Sequence, residues 1–303
     1  MLNSWYIIIN PTSGNGAAVK KWDKIKIHLA RLKIPFTHLF SSYSKHEEIL
    51  VSEALKIGYR KIICVGGDGT LHHIINGIMT QNHVHISEII VGVIPIGTGN
   101  DWVKTYKIPR NIKKAVSIIL KGNSEIQDIG LLELSNTKKL VYFNNLAGLG
   151  FDGFVVKNVE RFKKYGSLSY LLGSITGFLK YKRILLKIEF NKKIINTECL
   201  LTLIGICNYS GGGMRLTKNS NPKDGLFDIS VAKKFTLFTI LFNILKFYNG
   251  SIVKHKEVDT YKTSMIVIKT NDKNAFVQAD GELLGQGGFK AKIIPQAIRF
   301  IVP

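Results

Sequence analysis

The chain has 303 residues, 45% hydrophobic and 10% aromatic, enough apolar material for sizeable cores and two domains, which excludes a disordered polypeptide. Its 42 Lys and Arg against 21 Asp and Glu leave a formal charge of +21, a field suited to nucleic acid, anionic lipid surfaces or phosphorylated small molecules. Three cysteines, Cys64, Cys199 and Cys207, are odd in number and lack metal-ligand spacing, so reduced thiols in a cytoplasmic protein are expected.

The N-terminal apolar run has no basic region ahead of it and stops at Asn10-Pro11, so an ordinary signal peptide is not expected. No apolar stretch reaches the roughly 18 residues that span a bilayer, and any membrane contact is expected to be peripheral.

A strand is predicted over residues 6–9, followed by Asn10-Pro11-Thr12-Ser13-Gly14-Asn15-Gly16 and a basic amphipathic helix over 17–32. Hydroxyls and amides of this loop can serve phosphate, or the segment is a plain βα turn; no G-K-[ST] follows, so it is not a Walker A loop. A strand over 36–40 ends at Ser41, and a helix is predicted over 47–57.

Residues 61–70 read K-I-I-C-V-G-G-D-G-T. The apolar run Ile62 to Val65 predicts a strand covered on both faces. Gly66, Gly67 and Gly69 let the backbone approach a ligand, and Thr70 opens the helical pattern Leu71, Ile74, Ile75, Ile78, so free amides face an anion at the helix start. Asp68 would repel that anion unless a divalent cation lay between them, which implies a metal–nucleotide complex. A further strand, 89–96, runs into Gly97-Thr98-Gly99-Asn100-Asp101. Three such loops at the carboxyl ends of alternating strands are expected to converge on one crevice of a doubly wound sheet. Asp101 is either a second carboxylate for the metal or the cap of the next helix.

Together N-P-x-S-G at Asn10 to Gly14, G-G-D-G-T at Gly66 to Thr70 and G-T-G-N-D at Gly97 to Asp101 resemble the catalytic domain of the diacylglycerol kinase family, bacterial soluble type. G-G-D-G-T is shared with NAD kinases, but the full set is more similar to the lipid kinases. The resemblance implies ATP and Mg²⁺ as cofactors. It places nucleotide contacts at Asn10, Thr12, Ser13, Gly14, Gly66, Gly67, Asp68, Gly69, Thr70, Thr98, Asn100 and Asp101, with Ser41 where relatives carry a threonine.

After a predicted helix over 112–121, short strands of period two begin, which predicts a mostly β second domain. Gly148-Leu149-Gly150-Phe151-Asp152-Gly153 satisfies G-x-G-x-x-G, but no βαβ unit or ribose-binding acid follows, so it is expected to be a glycine-rich bend. Residues 161–187 hold seven Lys and Arg and no acid; this is either a lipid-surface helix or a core helix with a basic edge. Asn219 to Asp228 resembles the family's structural Mg²⁺ loop, which implies ligands at the Asn221 carbonyl, the Asp224 carboxylate and the Leu226 carbonyl. Lys223 stands where relatives often have another acid. Residues 235–248 are almost wholly apolar, and burial is expected over an acyl-chain platform. Asp280-Gly281-Glu282 is placed in the turn between strands 275–278 and 289–294; in the family this motif supplies the general base, so Glu282 and Asp68 are the expected catalytic residues.

The expected fold is α/β with two domains. Residues 1–124 form a doubly wound α/β nucleotide-binding domain, with a tail of about 292–303 free to pack back on it, and 125–291 form a mostly antiparallel β lipid-substrate domain. The resemblance implies an ATP-dependent lipid kinase acting on a lipid substrate at an anionic membrane surface, with diacylglycerol leading and sphingoid or other lipids, or a soluble NAD kinase type of reaction, as alternatives. No nucleic-acid motif is visible, and oligomeric state is left open.

Overall fold

The structure is a computed structural model that describes residues 4–159, 178 and 181–303. The basic stretch expected over 161–187 therefore lies outside the described residues up to 180, Phe178 apart. The chain divides into two compact units, Met1–Gln127 with Gln296–Pro303, and Asp128–Pro295.

The first unit alternates strand and helix: β1 (Trp5–Ile9), α1 (Ser13–Arg31), β2 (Phe36–Phe40), α2 (His46–Lys56), β3 (Lys61–Gly66), α3 (Asp68–Thr80), β4 (Ile90–Pro95), α4 (Asp101–Thr105) and α5 (Ile112–Lys121). The strands are parallel in the order β2-β1-β3-β4, and the end of the chain's last strand runs parallel to β4 through Arg299↔Ile90 and Phe300↔Val91. β3 is buried from Ile62 to Val65, as expected of a strand with helices on both faces, while edge strand β2 alternates half-buried and exposed positions. Ile7, Ile9, Ile63 and Val65 face one way, onto Trp22, Ile25 and Leu29 of α1 and Val116 and Ile119 of α5. α5 is bounded as its sequence dictates. Asn111 accepts the Lys114 amide at 3.1 Å as its N-cap, and Gly122 takes the left-handed C-terminal position at φ 73°.

The second unit is made of antiparallel strands: β5 (Ser124–Leu134, shared with the first unit), β6 (Leu140–Phe143), β7 (Leu146–Gly150), β8 (Ile184–Phe190), β9 (Lys193–Cys199), β10 (Leu201–Gly205), β11 (Phe227–Ala232), β12 (Val258–Thr263), β13 (Met265–Lys269), β14 (Phe276–Ala279), β15 (Glu282–Gln286) and β16 (Phe289–Ile301), which ends in the first unit. One sheet runs β12-β11-β10-β7-β14-β15; in the other, β16, β13, β8 and β9 are neighbours. Helices α6 (Phe151–Val159), α7 (Leu237–Phe242) and α8 (Ile244–Asn249) lie in the same unit. No helix of the described residues is long and apolar enough to cross a membrane.

Three sequence expectations are corrected. The glycine-rich segment 148–153 is not a bend: β7 ends at Gly150 and passes straight into α6. Glu282 is not a turn residue but opens β15, a strand that the glycine-containing E-L-L-G-Q concealed. The apolar segment 235–248 is two short helices broken at Asn243, with Phe238, Phe242 and Leu245 turned outward instead of buried.

Candidate active site

The three glycine loops of the first unit touch one another. Asn10 Oδ1 accepts the Thr12 amide at 3.0 Å and the Thr12 hydroxyl at 2.8 Å, which folds the first loop back on itself. Gly14, Asn15 and Gly16 then run left-handed, so α1 becomes regular only beyond them. A Cβ on Gly14 would stand 2.7 Å from the Ile96 carbonyl oxygen of the third loop. The Ser13 hydroxyl meets the Thr70 hydroxyl at 3.2 Å, joining the first loop to the second. A Cβ on Gly97 would stand 2.5 Å from Gly67 Cα, so two backbones approach here as only glycine permits. Asn100, left-handed at φ 49°, closes the third loop by accepting the Gly97 amide at 3.0 Å and donating to the Gly97 carbonyl at 2.7 Å. Ser41, buried at the end of β2, donates its amide to the Ile9 carbonyl at 2.8 Å and so sits beside the first loop.

Asp68 has a structural task that the spacing did not reveal. Its Oδ2 accepts the Asp101 amide at 3.0 Å and its Oδ1 the Trp102 amide at 3.1 Å, so the carboxylate ties the second loop to the start of α4. Asp68 Oδ2 and Asp101 Oδ2 nevertheless lie 3.2 and 3.6 Å from the point that a Cβ on Gly99 would occupy. Two carboxylates thus converge on Gly99, hard oxygen donors of the kind that Mg²⁺ takes. Asp101 is also paired with Lys104 at 2.6 Å. Arg110, which the motifs did not single out, donates to the Thr98 and Gly99 carbonyls at 2.9 and 2.8 Å and holds the third loop from outside. Gln127 accepts from the Trp102 indole at 2.8 Å and the Tyr106 hydroxyl at 3.0 Å, anchoring α4 below it.

In the second unit Asp280, not Glu282, makes the polar anchor. At φ 51° it accepts the amides of Asn144, Asn145 and Leu146 at 3.1, 3.0 and 3.1 Å. Gly281 N–H donates to Gln278 Oε1 at 2.9 Å, which fixes the turn from which half-buried Glu282 emerges.

Gln278 in turn donates its side-chain amide to Asp152, which lines an open apolar pocket formed by Phe151, Leu203, Met214, Phe235 and Phe247 among others. Burial pushes the Asp152 carboxyl up to about 6, and the Gln278 bond only partly offsets it. A carboxyl raised from 3.8 binds its proton more tightly folded than unfolded, so its effect on stability is least unfavourable below pH 4 and worsens as pH rises to about 6. A rise of about two units corresponds to roughly 3 kcal/mol. Asp152→Asn is therefore expected to raise the melting temperature by several degrees at pH 8 and to give little gain at pH 4, read by paired thermal melts. An equal shift at both pH values would contradict it.

At the expected metal loop Asp224 is ion-paired. Asp224 Oδ2 lies 2.9 Å from the Lys262 ammonium and its Oδ1 accepts the Leu226 amide at 3.1 Å, while the Asn221 carbonyl accepts the Asp224 amide at 3.4 Å. Lys262 also stands 3.3 Å from Oδ2 of buried Asp228. Among the described residues, no group of three or more His, Cys, Asp and Glu side chains is placed to hold a metal. In this structure the one carboxylate of the Asn221, Asp224 and Leu226 set is paired with Lys262, which a divalent ion bound there would have to displace. Lys262→Met is expected to cost about 1–2 kcal/mol, discounted for the exposure of Lys262, and wild-type melting should be indifferent to EDTA. A melting temperature that falls with EDTA in the wild type but not in Asp224→Ala would show that a divalent ion displaces Lys262.

Residues 4–132 match the diacylglycerol kinase catalytic domain, and residues 145–302 match the YegS C-terminal NAD kinase beta sandwich-like domain, just over half of the chain. The chain belongs to the diacylglycerol kinase family. Curated relatives include a diacylglycerol kinase of Staphylococcus haemolyticus, 29% identical over 92% of this chain and 82% of that one, and a diacylglycerol kinase of Bacillus subtilis, 27% identical over 92% and 89%. A crystal structure of a diacylglycerol kinase from Bacillus anthracis has the same fold, with a TM-score of 0.74 at 22% identity over 99% of this chain and 97% of that one. This membership accounts for the α/β architecture and for the coexistence of the three loops with a β-rich second unit.

Proposed function

We propose that the protein is an ATP-dependent lipid kinase that phosphorylates a lipid hydroxyl, most directly diacylglycerol to phosphatidic acid, the acceptor for which its relatives are named. The observation that carries this reading is the mutual contact of the three loops, with the Asp68 and Asp101 carboxylates converging on Gly99. Amides of Gly66 to Thr70 and the polar groups of Asn10, Thr12, Ser13, Gly14, Ser41, Thr98 and Asn100 would bind and orient the phosphates of ATP. Mg²⁺ held by Asp68 and Asp101 would neutralise charge on the phosphate oxygens. Phosphoryl transfer needs positioning and charge neutralisation more than covalent chemistry, and this set supplies both. Glu282, two residues beyond the Asp280 anchor, would take the proton of the attacking hydroxyl.

The pocket of the second unit supports a lipid over a soluble acceptor: its walls are apolar side chains suited to an acyl chain, with Asp152 the acid among them. The enzyme would act from the cytoplasmic side as a peripheral protein, and the net charge of +21 favours an anionic leaflet. A kinase assay over diacylglycerol, monoacylglycerol, sphingoid base, ceramide and undecaprenol, with products identified by mass spectrometry, tests the reading. A phosphorylated diacylglycerol is expected, and no phosphorylated lipid from any acceptor would refute it.

A further inference from the structure

The two short helices α7 and α8 are apolar on both sides. Inward, Phe235, Ile240 and Phe247 pack on Phe151, Ile252 and Val253 or line the pocket. Outward, Phe238 is 71%, Phe242 83% and Leu245 80% exposed, and the rings of Phe238 and Phe242 stack at 6.5 Å. This is a ridge of large side chains held on ordered helices, since Thr236 caps α7 by accepting the Thr239 amide at 3.1 Å and Asn243 bonds back to the Thr239 carbonyl at 2.7 Å. Isolated exposed hydrophobics are ordinary, but a contiguous set on one short segment marks a contact surface.

The charges around the ridge indicate what covers it. From Lys233 to Lys256 the chain carries Lys233, Lys234, Lys246, Lys254 and Lys256 and no acid. Lys234, Lys246, Lys254 and Lys256 are exposed. Lys233 is paired with Asp259 at 2.6 Å, but an apolar ridge on a segment that also exposes Lys234, Lys246, Lys254 and Lys256 matches the two layers of an anionic bilayer, hydrocarbon beneath phosphate. The same helices supply Ile240, Ile244 and Phe247 to the pocket wall, so the pocket and the ridge belong to one element.

We infer that α7 and α8 form a membrane-docking element, in which Phe238, Phe242 and Leu245 insert into an anionic lipid surface and set the apolar pocket against the bilayer from which the acceptor comes. The inference rests on the lipid-kinase reading for the purpose of the docking, not for the docking itself. Insertion of these side chains supplies much of the binding, so Phe242→Ser with Leu245→Ser should lower partition onto phosphatidylcholine vesicles containing phosphatidylglycerol about tenfold or more. Wild-type protein should bind those vesicles more tightly than vesicles of phosphatidylcholine alone.

The same double variant, with its melting temperature checked, should phosphorylate monomeric short-chain diacylglycerol as the wild type does and lose activity only on vesicle-borne acceptor. Unchanged vesicle partition would overturn the inference. So would a variant that binds vesicles normally but turns from dimer to monomer in sedimentation velocity, which would assign the ridge to a second copy of the chain. If wild type phosphorylated neither acceptor while the partition result held, the kinase reading would fall and the docking element would stand.

Discussion

Asp68→Asn is expected to lower turnover by at least about 10³ with only a modest loss of stability. The side chain holds two positions at once: it accepts the Asp101 and Trp102 amides, and it lies against Gly99. An asparagine carbonyl can still accept one of those amides, but its NH₂ group opposes the other. A charge-assisted bond to backbone is then lost, worth about 1–2 kcal/mol. The larger effect is chemical. Neutralising phosphate charge at the transition state is the main demand of phosphoryl transfer, and removing a single well-placed electrostatic contact typically costs 10² to 10³ in rate, more where a metal is also lost. Steady-state kinetics across a Mg²⁺ titration, beside a thermal melt, separates the two roles. Near-normal kcat with the wild-type Mg²⁺ requirement would show that Asp68 is only the structural tie between loops two and three.

Glu282→Gln is the second large effect. A lipid alcohol holds its proton far above neutral pH, so a carboxylate that takes it during attack lowers the barrier, an assistance worth roughly 10² to 10⁴. Glutamine keeps the shape and loses the basicity, so kcat should drop by about that factor while ATP affinity barely changes, because the glycine loops belong to the other unit. Asp280 provides the control. Removing it strips three backbone amides of their acceptor and should impair stability and activity together, whereas Glu282→Gln should leave the melting temperature in place. Near-normal kcat for Glu282→Gln would make Glu282 an ordinary strand residue.

The parts of the site visible in the sequence are those whose chemistry is local. Gly67 and Gly97 are needed because two backbones meet there, and a run such as Ile62 to Val65 declares a strand covered on both faces. What stayed hidden depends on contacts between residues far apart in the chain. Arg110 reaches back to Thr98 and Gly99, Gln127 reaches Trp102, and Asp280 serves amides some 135 positions earlier, as the separation from Asn145 shows. No local pattern announces them. Lys262 at Asp224 belongs to the same class, since 38 positions separate the partners of an ion pair that occupies the expected metal loop. The segment 235–248 misled for another reason. Hydrophobic periodicity says that a face will be covered but not by what, and burial in protein was expected where Phe238, Phe242 and Leu245 face outward.

The central claim is that the three loops deliver the γ-phosphoryl group of ATP to a lipid hydroxyl. Incubating the protein with Mg²⁺, γ-labelled ATP, diacylglycerol in mixed micelles and NAD together tests it most directly. The account predicts label in phosphatidic acid, one equivalent per ADP formed, and none in NADP. Label in NADP, or ADP formed without labelled lipid, would contradict it.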